Sequence, residues 1–139
     1  FIASTKMMSV LTENPVLGHI TTFGGNPVSC AAGSAALEVL TNSGWIAEVK
    51  DKEKYLVDNL HHPAVLHRNY KGLWMSLQFE SETVAKKVAA ACIEKGIITD
   101  WFLFAEDRIR IAPPLCITME ELKLAVEKII ASIQHTIKK

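Results

Sequence analysis

Between Leu73 and Glu80 the chain keeps a period of two: Leu73, Met75, Leu77 and Phe79 alternate with Trp74, Ser76, Gln78 and Glu80. Such a period places four apolar side chains on one face of a β-strand, and that face has to be covered. The residues that follow supply a cover. Ser81 is a helix cap, Val84, Val88 and Cys92 recur at four-residue spacing, and Gly96 stops the helix. A second cover lies at the end of the chain. Thr118-Met119-Glu120-Glu121 is a capping box, in which hydroxyl and carboxylate each satisfy an end-group amide. Leu122, Val126, Ile129, Ile130, Ile133 and Ile137 then mark one buried helical face.

The remaining segments fit around this unit. Asn26-Pro27 opens a helix, with Asn as cap and Pro at the first helical position. Val28 to Leu40 is rich in Ala, Gly and Ser, which lets neighbours approach closely, and Asn42-Ser43-Gly44 ends the run. Another helix carries Ile46, Val49, Leu56 and Leu60 on one stripe and closes at His61-His62-Pro63. Val65 to Asn69 reads as a strand, joined through Tyr70-Lys71-Gly72 to the alternating one. Ile97 to Thr99 and Arg108 to Ile111 read as two more. The order is helix, helix, two strands, helix, strand, strand, helix. It implies an α+β domain over residues 26–139, a small mostly antiparallel sheet with helices on one face. Residues 1–25 do not belong to that layer. They hold a short helix from Thr5 to Leu11 behind Ser4, a stop at Asn14-Pro15, and an irregular stretch from Gly18 to Gly25 that reads as an arm reaching elsewhere.

Composition limits the function. Of 139 residues, 49% are hydrophobic and 22% charged, enough for a real core. Fifteen basic residues balance fifteen acidic ones, so the chain lacks the basic footprint of a nucleic-acid binder and the polybasic patch of a membrane anchor. No apolar stretch is long enough to cross a bilayer. Cys30, Cys92 and Cys116 are odd in number, far apart and without a CxxC, and read as reduced, buried thiols of a cytoplasmic protein. The chain starts at Phe1, with no signal-peptide pattern, and reads as a piece of something longer.

Two segments carry chemistry. In Thr21-Thr22-Phe23-Gly24-Gly25-Asn26-Pro27, two hydroxyls precede a Gly-Gly turn and a helix start. Turn amides and hydroxyls there suit an anionic oxygen, phosphate above all, although a Gly-Gly turn before a capped helix is also common as plain structure. In Arg108-Ile109-Arg110-Ile111-Ala112-Pro113-Pro114-Leu115, alternation puts both arginines on the face opposite the isoleucines. An arginine at a strand end beside a rigid loop holds a carboxylate through two parallel hydrogen bonds, or else forms an ordinary surface ion pair. Trp101-Phe102-Leu103-Phe104 reads as core, or as a wall of a substrate pocket. His61, His62 and His67 lack partners at metal-ligand spacing and read as a polar helix end, and His19 as local structure or the edge of a site. No GxSxG, HExxH or Gly-Lys-Ser/Thr phosphate loop is present.

Gly18 to Leu40, G-H-I-T-T-F-G-G-N-P followed by V-S-C-A-A-G-S-A-A-L-E-V-L, resembles a segment of class-III pyridoxal-phosphate aminotransferases, the group of acetylornithine and ornithine aminotransferases. Arg108 to Glu121, R-I-R-I-A-P-P-L-C-I-T-M-E-E, resembles the closing motif of the same family. The resemblance implies a fold-type I parent enzyme with pyridoxal 5'-phosphate as cofactor and an amino acid or ω-amino donor and a 2-oxo acid as substrates. It implies a homodimer in which Thr22, with Thr21 beside it, reaches the cofactor phosphate of the neighbouring subunit. It implies that Arg110 lies near the active site and pairs with a substrate carboxylate. On this reading residues 1–25 are the end of the large cofactor-binding domain and residues 26–139 the C-terminal small domain. The cofactor-bearing lysine belongs upstream, because Lys6, the one lysine before Thr22, sits on the short helix in the wrong context; the chain alone is expected not to transaminate. Ile20 stands where the family often has Gly. The competing readings are a decarboxylase or aminomutase parent, and a free-standing α+β binding module that shares only the fold.

Overall fold

The computed structural model describes residues 3–12, 14 and 21–138, which fall into two compact units, Phe1–Asn42 and Ser43–Lys139. In the first, Ser4 caps helix α1 (Thr5–Met8) by accepting from the Met7 amide, and a 3-10 turn at Ser9–Leu11 continues it. Helix α2 (Pro27–Asn42) starts as expected at Asn26, whose Oδ1 accepts from the Val28 and Ser29 amides, both at 3.1 Å. Pro15 and Gly18 to Ile20 lie outside the described residues.

The second unit contains the core. Its elements are α3 (Trp45–Asn59), β1 (His67–Lys71), β2 (Trp74–Gln78), α4 (Glu82–Glu94), β3 (Asp100–Phe102), β4 (Ala105–Ile111) and α5 (Met119–Ile137). The four strands form one antiparallel sheet in the order β1-β2-β4-β3. One sheet face carries Met75, Leu77, Ile109 and Ile111, all buried, and packs under α4 and α5, which bury Val88, Cys92, Leu122, Ile129 and Ile133. This is the α+β arrangement expected from the alternation in β2.

Caps and turns behave as the residue types dictate. Ser81 Oγ accepts from the Val84 amide at 3.4 Å, and Thr118 and Glu121 form the reciprocal box at the start of α5. The β1–β2 hairpin turns through Gly72 at φ 58°, the left-handed region that favours glycine. Two cations tie other segments to α3, Arg68 half-buried on β1 and Lys52 buried on the helix itself. Arg68 Nη1 donates to the carbonyls of Val57 and Leu60 at 2.8 and 3.0 Å, closing the helix C-terminus. Lys52, 3% exposed, donates to Glu48 and to the Leu115 carbonyl beyond the double proline.

Two strands sit a few residues later than their apolar runs suggested. Ile97 stays with α4, its amide donating to the Cys92 carbonyl at 2.9 Å, so pairing begins only at Asp100, opposite Arg110. Likewise the Val65 amide closes a turn on His62, and the β1 strand begins at His67. Among the described residues no helix is long and apolar enough to cross a membrane.

Candidate functional site

The sheet face away from α4 and α5 is where the second unit carries its polar chemistry. Cross-strand register lines up Asn69, Ser76, Arg110 and Asp100 as one row across all four strands. Residues opposite one another in a sheet share a face, so these four side chains stand on the same side. The next row holds His67, Gln78 and Arg108. A cavity of about 490 Å³ opens on this face, lined by Asn69, Trp74, Ser76, Phe102, Arg108 and Arg110 among others. Its size suits an amino-acid-sized or larger small molecule.

The two arginines are held differently. Arg110 Nη2 donates to Asp100 Oδ2 at 3.0 Å, with the side chains 40% and 54% exposed. Asp100 is itself fixed, since its Oδ1 accepts from the Trp101 amide at 2.9 Å, and Thr99 Oγ1 donates to the Arg110 carbonyl at 2.5 Å. An ion pair this exposed is worth little, so parting it costs little. Arg108 is more enclosed. Its Nη2 donates to Gln78 Oε1 at 3.0 Å, Gln78 Nε2 donates to Asp107 Oδ2 at 2.7 Å, and Asp107 lies 3.7 Å from Arg108 Nε.

Ser76 is the odd member. It is 7% exposed, and its hydroxyl is the one buried side-chain polar atom without a hydrogen-bond partner among the described residues. Leaving a hydroxyl unpaired in a buried place costs about 1–3 kcal/mol. Sequence alternation placed Ser76 opposite the core residues but carried no sign of this.

Thr21 and Thr22 belong to the other unit. Both are exposed in a turn that closes on itself through the Gly24 amide to the Thr21 carbonyl, 3.2 Å, and the Asn26 amide to the Phe23 carbonyl, 3.1 Å. Glycine is required in this turn at Gly25, which has φ 75°, while a Cβ on Gly24 would only press on the rotatable Thr21 hydroxyl. The Val28 and Ser29 amides are already taken by Asn26. Exposed hydroxyls of this kind are able to donate to an anionic oxygen. The structure thus joins Arg110 to Arg108, Ser76 and Asp100, whereas the threonines form a separate feature in their own unit.

Other candidates resolve simply. Of Trp101 to Phe104, only Phe102 lines the cavity; Trp101 lies beneath the Lys86 ammonium, 5.8 Å from the ring centre, and Leu103 and Phe104 form an exposed turn. The cysteine expectation holds for Cys92, which is buried, its thiol pushed up by burial; Cys30 and Cys116 are exposed, because α2 and the segment after the prolines bury neither. No group of three metal-ligating side chains occurs among the described residues. His62 Nδ1 instead accepts from the Ala64 amide, and His67 pairs with Asn69. His19 lies outside the described residues.

Comparison with solved structures gives the same architecture. A transaminase from directed evolution by ancestral reconstruction is 27% identical, with a TM-score of 0.81 over 99% of this chain and 34% of its own length. A thermostable (S)-enantioselective omega-transaminase from Thermomicrobium roseum is 24% identical, with a TM-score of 0.81 over 97% of this chain and 33% of its own. The PMP-bound aminotransferase from Vibrio fluvialis is 17% identical, with a TM-score of 0.81 over 98% and 33%. The chain therefore spans about a third of the length of the structures it matches. The family model described as Aminotransferase class-III matches residues 1–133, and the chain belongs to the class-III aminotransferase family.

Proposed function

We propose that this chain is the C-terminal part of a pyridoxal-phosphate-dependent aminotransferase, which moves an amino group from an amino acid or ω-amino donor to a 2-oxo acid. Residues 1–25 are then the end of the cofactor-binding domain and residues 26–139 the small domain. The observation that carries this reading is Arg110, a half-exposed guanidinium lining a cavity and bonded to the Asp100 carboxylate through Nη2 alone, which leaves further donors for a substrate carboxylate. Family membership and the 27% identity to a transaminase support it.

Pyridoxal phosphate, when bound, supplies the electron sink for amino-group exchange. This chain's residues do the holding. Thr21 and Thr22 donate hydroxyl hydrogens to the phosphate, in a homodimer whose neighbouring subunit carries that cofactor. Arg110 releases Asp100 and takes the substrate carboxylate, fixing which end of the substrate faces the reacting centre. The double proline after Ile111, tied through Leu115 to buried Lys52, keeps the strand end rigid while it does so.

The test uses the longer protein, reconstituted by co-expression with the N-terminal part. Thr22→Ala is expected to weaken cofactor binding by about 1–3 kcal/mol, the worth of one neutral or charge-assisted hydrogen bond, read from the cofactor's visible absorbance. Unchanged affinity removes the phosphate role. The 139-residue chain alone is expected not to transaminate, and turnover by it would overturn the assignment of the lysine to the missing part.

A further inference from the structure

We propose that the cavity beside Arg110 selects carboxylates with an apolar, aromatic body, and that Ser76 and Arg108 are specificity-determining residues within it. This names the substrate class of the site and rests on the reading of Arg110 as carboxylate anchor. Three observations lead to it. Arg108, Arg110 and Lys71 line the cavity, and the carboxylates beside the two arginines, Asp100 and Asp107, stand outside its lining, so an anion entering it meets three cationic side chains and has only the exposed Asp100 pair to displace. Trp74, 65% exposed, and Phe102 supply aromatic surface within the same cavity, and an apolar ligand body would remove that surface from water. Ser76 stands directly opposite Arg110 in the strand pairing and carries a buried hydroxyl with no partner among the described residues. Buried polar groups in folded proteins are nearly always satisfied, and the place from which a partner can arrive is the cavity Ser76 lines.

The arrangement sets an order of binding. Asp100 holds Arg110 aside in an exposed pair, and a ligand carboxylate replaces it. As the guanidinium turns to the ligand, the neighbouring Ser76 hydroxyl gains an acceptor in the same carboxylate. Arg108, braced by Gln78 and Asp107, stays in place and adds positive potential without moving. The apolar body lies against Trp74 and Phe102.

The test uses the 139-residue chain itself, with three probes: 3-phenylpropionate, 3-phenylpropanol and propionate. Binding is read by amide and indole NMR shifts and by tryptophan fluorescence. 3-Phenylpropionate is expected to shift Trp74, Ser76 and Arg110 saturably, with the other two probes at least tenfold weaker. Ser76→Ala is expected to weaken 3-phenylpropionate at least threefold while the melting temperature holds or rises, a split that a purely structural serine would not produce. Arg108→Gln is expected to weaken both acids and leave the alcohol unchanged. Equal binding of the alcohol and 3-phenylpropionate, shifts confined to other residues, or Ser76→Ala and Arg108→Gln both without effect would each overturn the proposal. If propionate binds as tightly as 3-phenylpropionate and both are lost in Arg110→Met, the anchor stands and the aromatic selectivity falls. If Arg110→Met changes nothing, the anchor falls and this proposal with it.

Discussion

Ser76 shows how a single residue can serve binding at the expense of stability. Its hydroxyl is buried without a partner, so removing it relieves a desolvation cost. Ser76→Ala is expected to stabilise the chain by about 1 kcal/mol, which for a unit of this size raises the melting temperature by about 4–8 °C in a thermal scan. A fall in melting temperature would show that the hydroxyl is satisfied. Arg68 is the opposite case. Its guanidinium closes two carbonyls at the end of α3, and Arg68→Met leaves both without that donor. That change is expected to cost about 1.5–3 kcal/mol, measured by urea unfolding. None of this was legible in the sequence. Arg110 and the threonines could be picked out because they stand in short local patterns, a strand end before two prolines and a Gly-Gly turn before a capped helix. The partners of Arg110 could not, because Asp100 lies ten residues away and Ser76 thirty-four, and only strand register brings the three into one row.

Among the elements, those with local signals matched the sequence closely. The Thr118 box and the Ser81 and Asn26 caps are satisfied within three or four residues of chain, so their geometry is encoded where it is read. β2 was equally plain, because its period of two is its own. β3 was displaced, since its boundaries are decided by pairing with β4 and by the hold of the Cys92 carbonyl on Ile97. The α5 start also gives a pH dependence. The Thr118 backbone amide, and then its hydroxyl, donate to the Glu121 carboxylate and hold it below its ordinary value. A depressed carboxylate contributes stability that is present above its unfolded pKa and is lost as pH falls through the folded one. The α5 contribution is therefore expected to be full at neutral pH and to fade in acid. Thr118→Ala removes the hydroxyl half of the box and is expected to cost about 1 kcal/mol near pH 7. The difference between Thr118→Ala and the parent chain should shrink in acid; a pH-independent difference would mean the carboxylate takes no part.

For the molecule as a whole, the decisive fact is where the core lies. Every buried hydrophobic residue among those described falls between Leu56 and Ile133. All of them except Ala91 form one cluster built from the sheet face and helices α3, α4 and α5, inside the unit Ser43–Lys139. A unit with its own continuous core and its own caps has what it needs to fold alone. A chain of residues 43–139 is therefore expected to unfold in one cooperative transition, with a midpoint within a few degrees of that of the full chain. Ile133, fully buried on α5, and Leu77, fully buried on β2, belong to that cluster. Leu77→Ala is expected to cost about 2–5 kcal/mol in either chain, the range for deleting a large apolar side chain from a packed core. Equal losses in the two chains would show that stability resides in this unit alone. A much smaller loss in the full chain, or a broad transition in the shorter one, would show that residues before Ser43 carry part of the folding free energy. The cavity with Arg110 lies wholly inside the same unit, so the shorter chain is also expected to retain any carboxylate binding that the full chain shows.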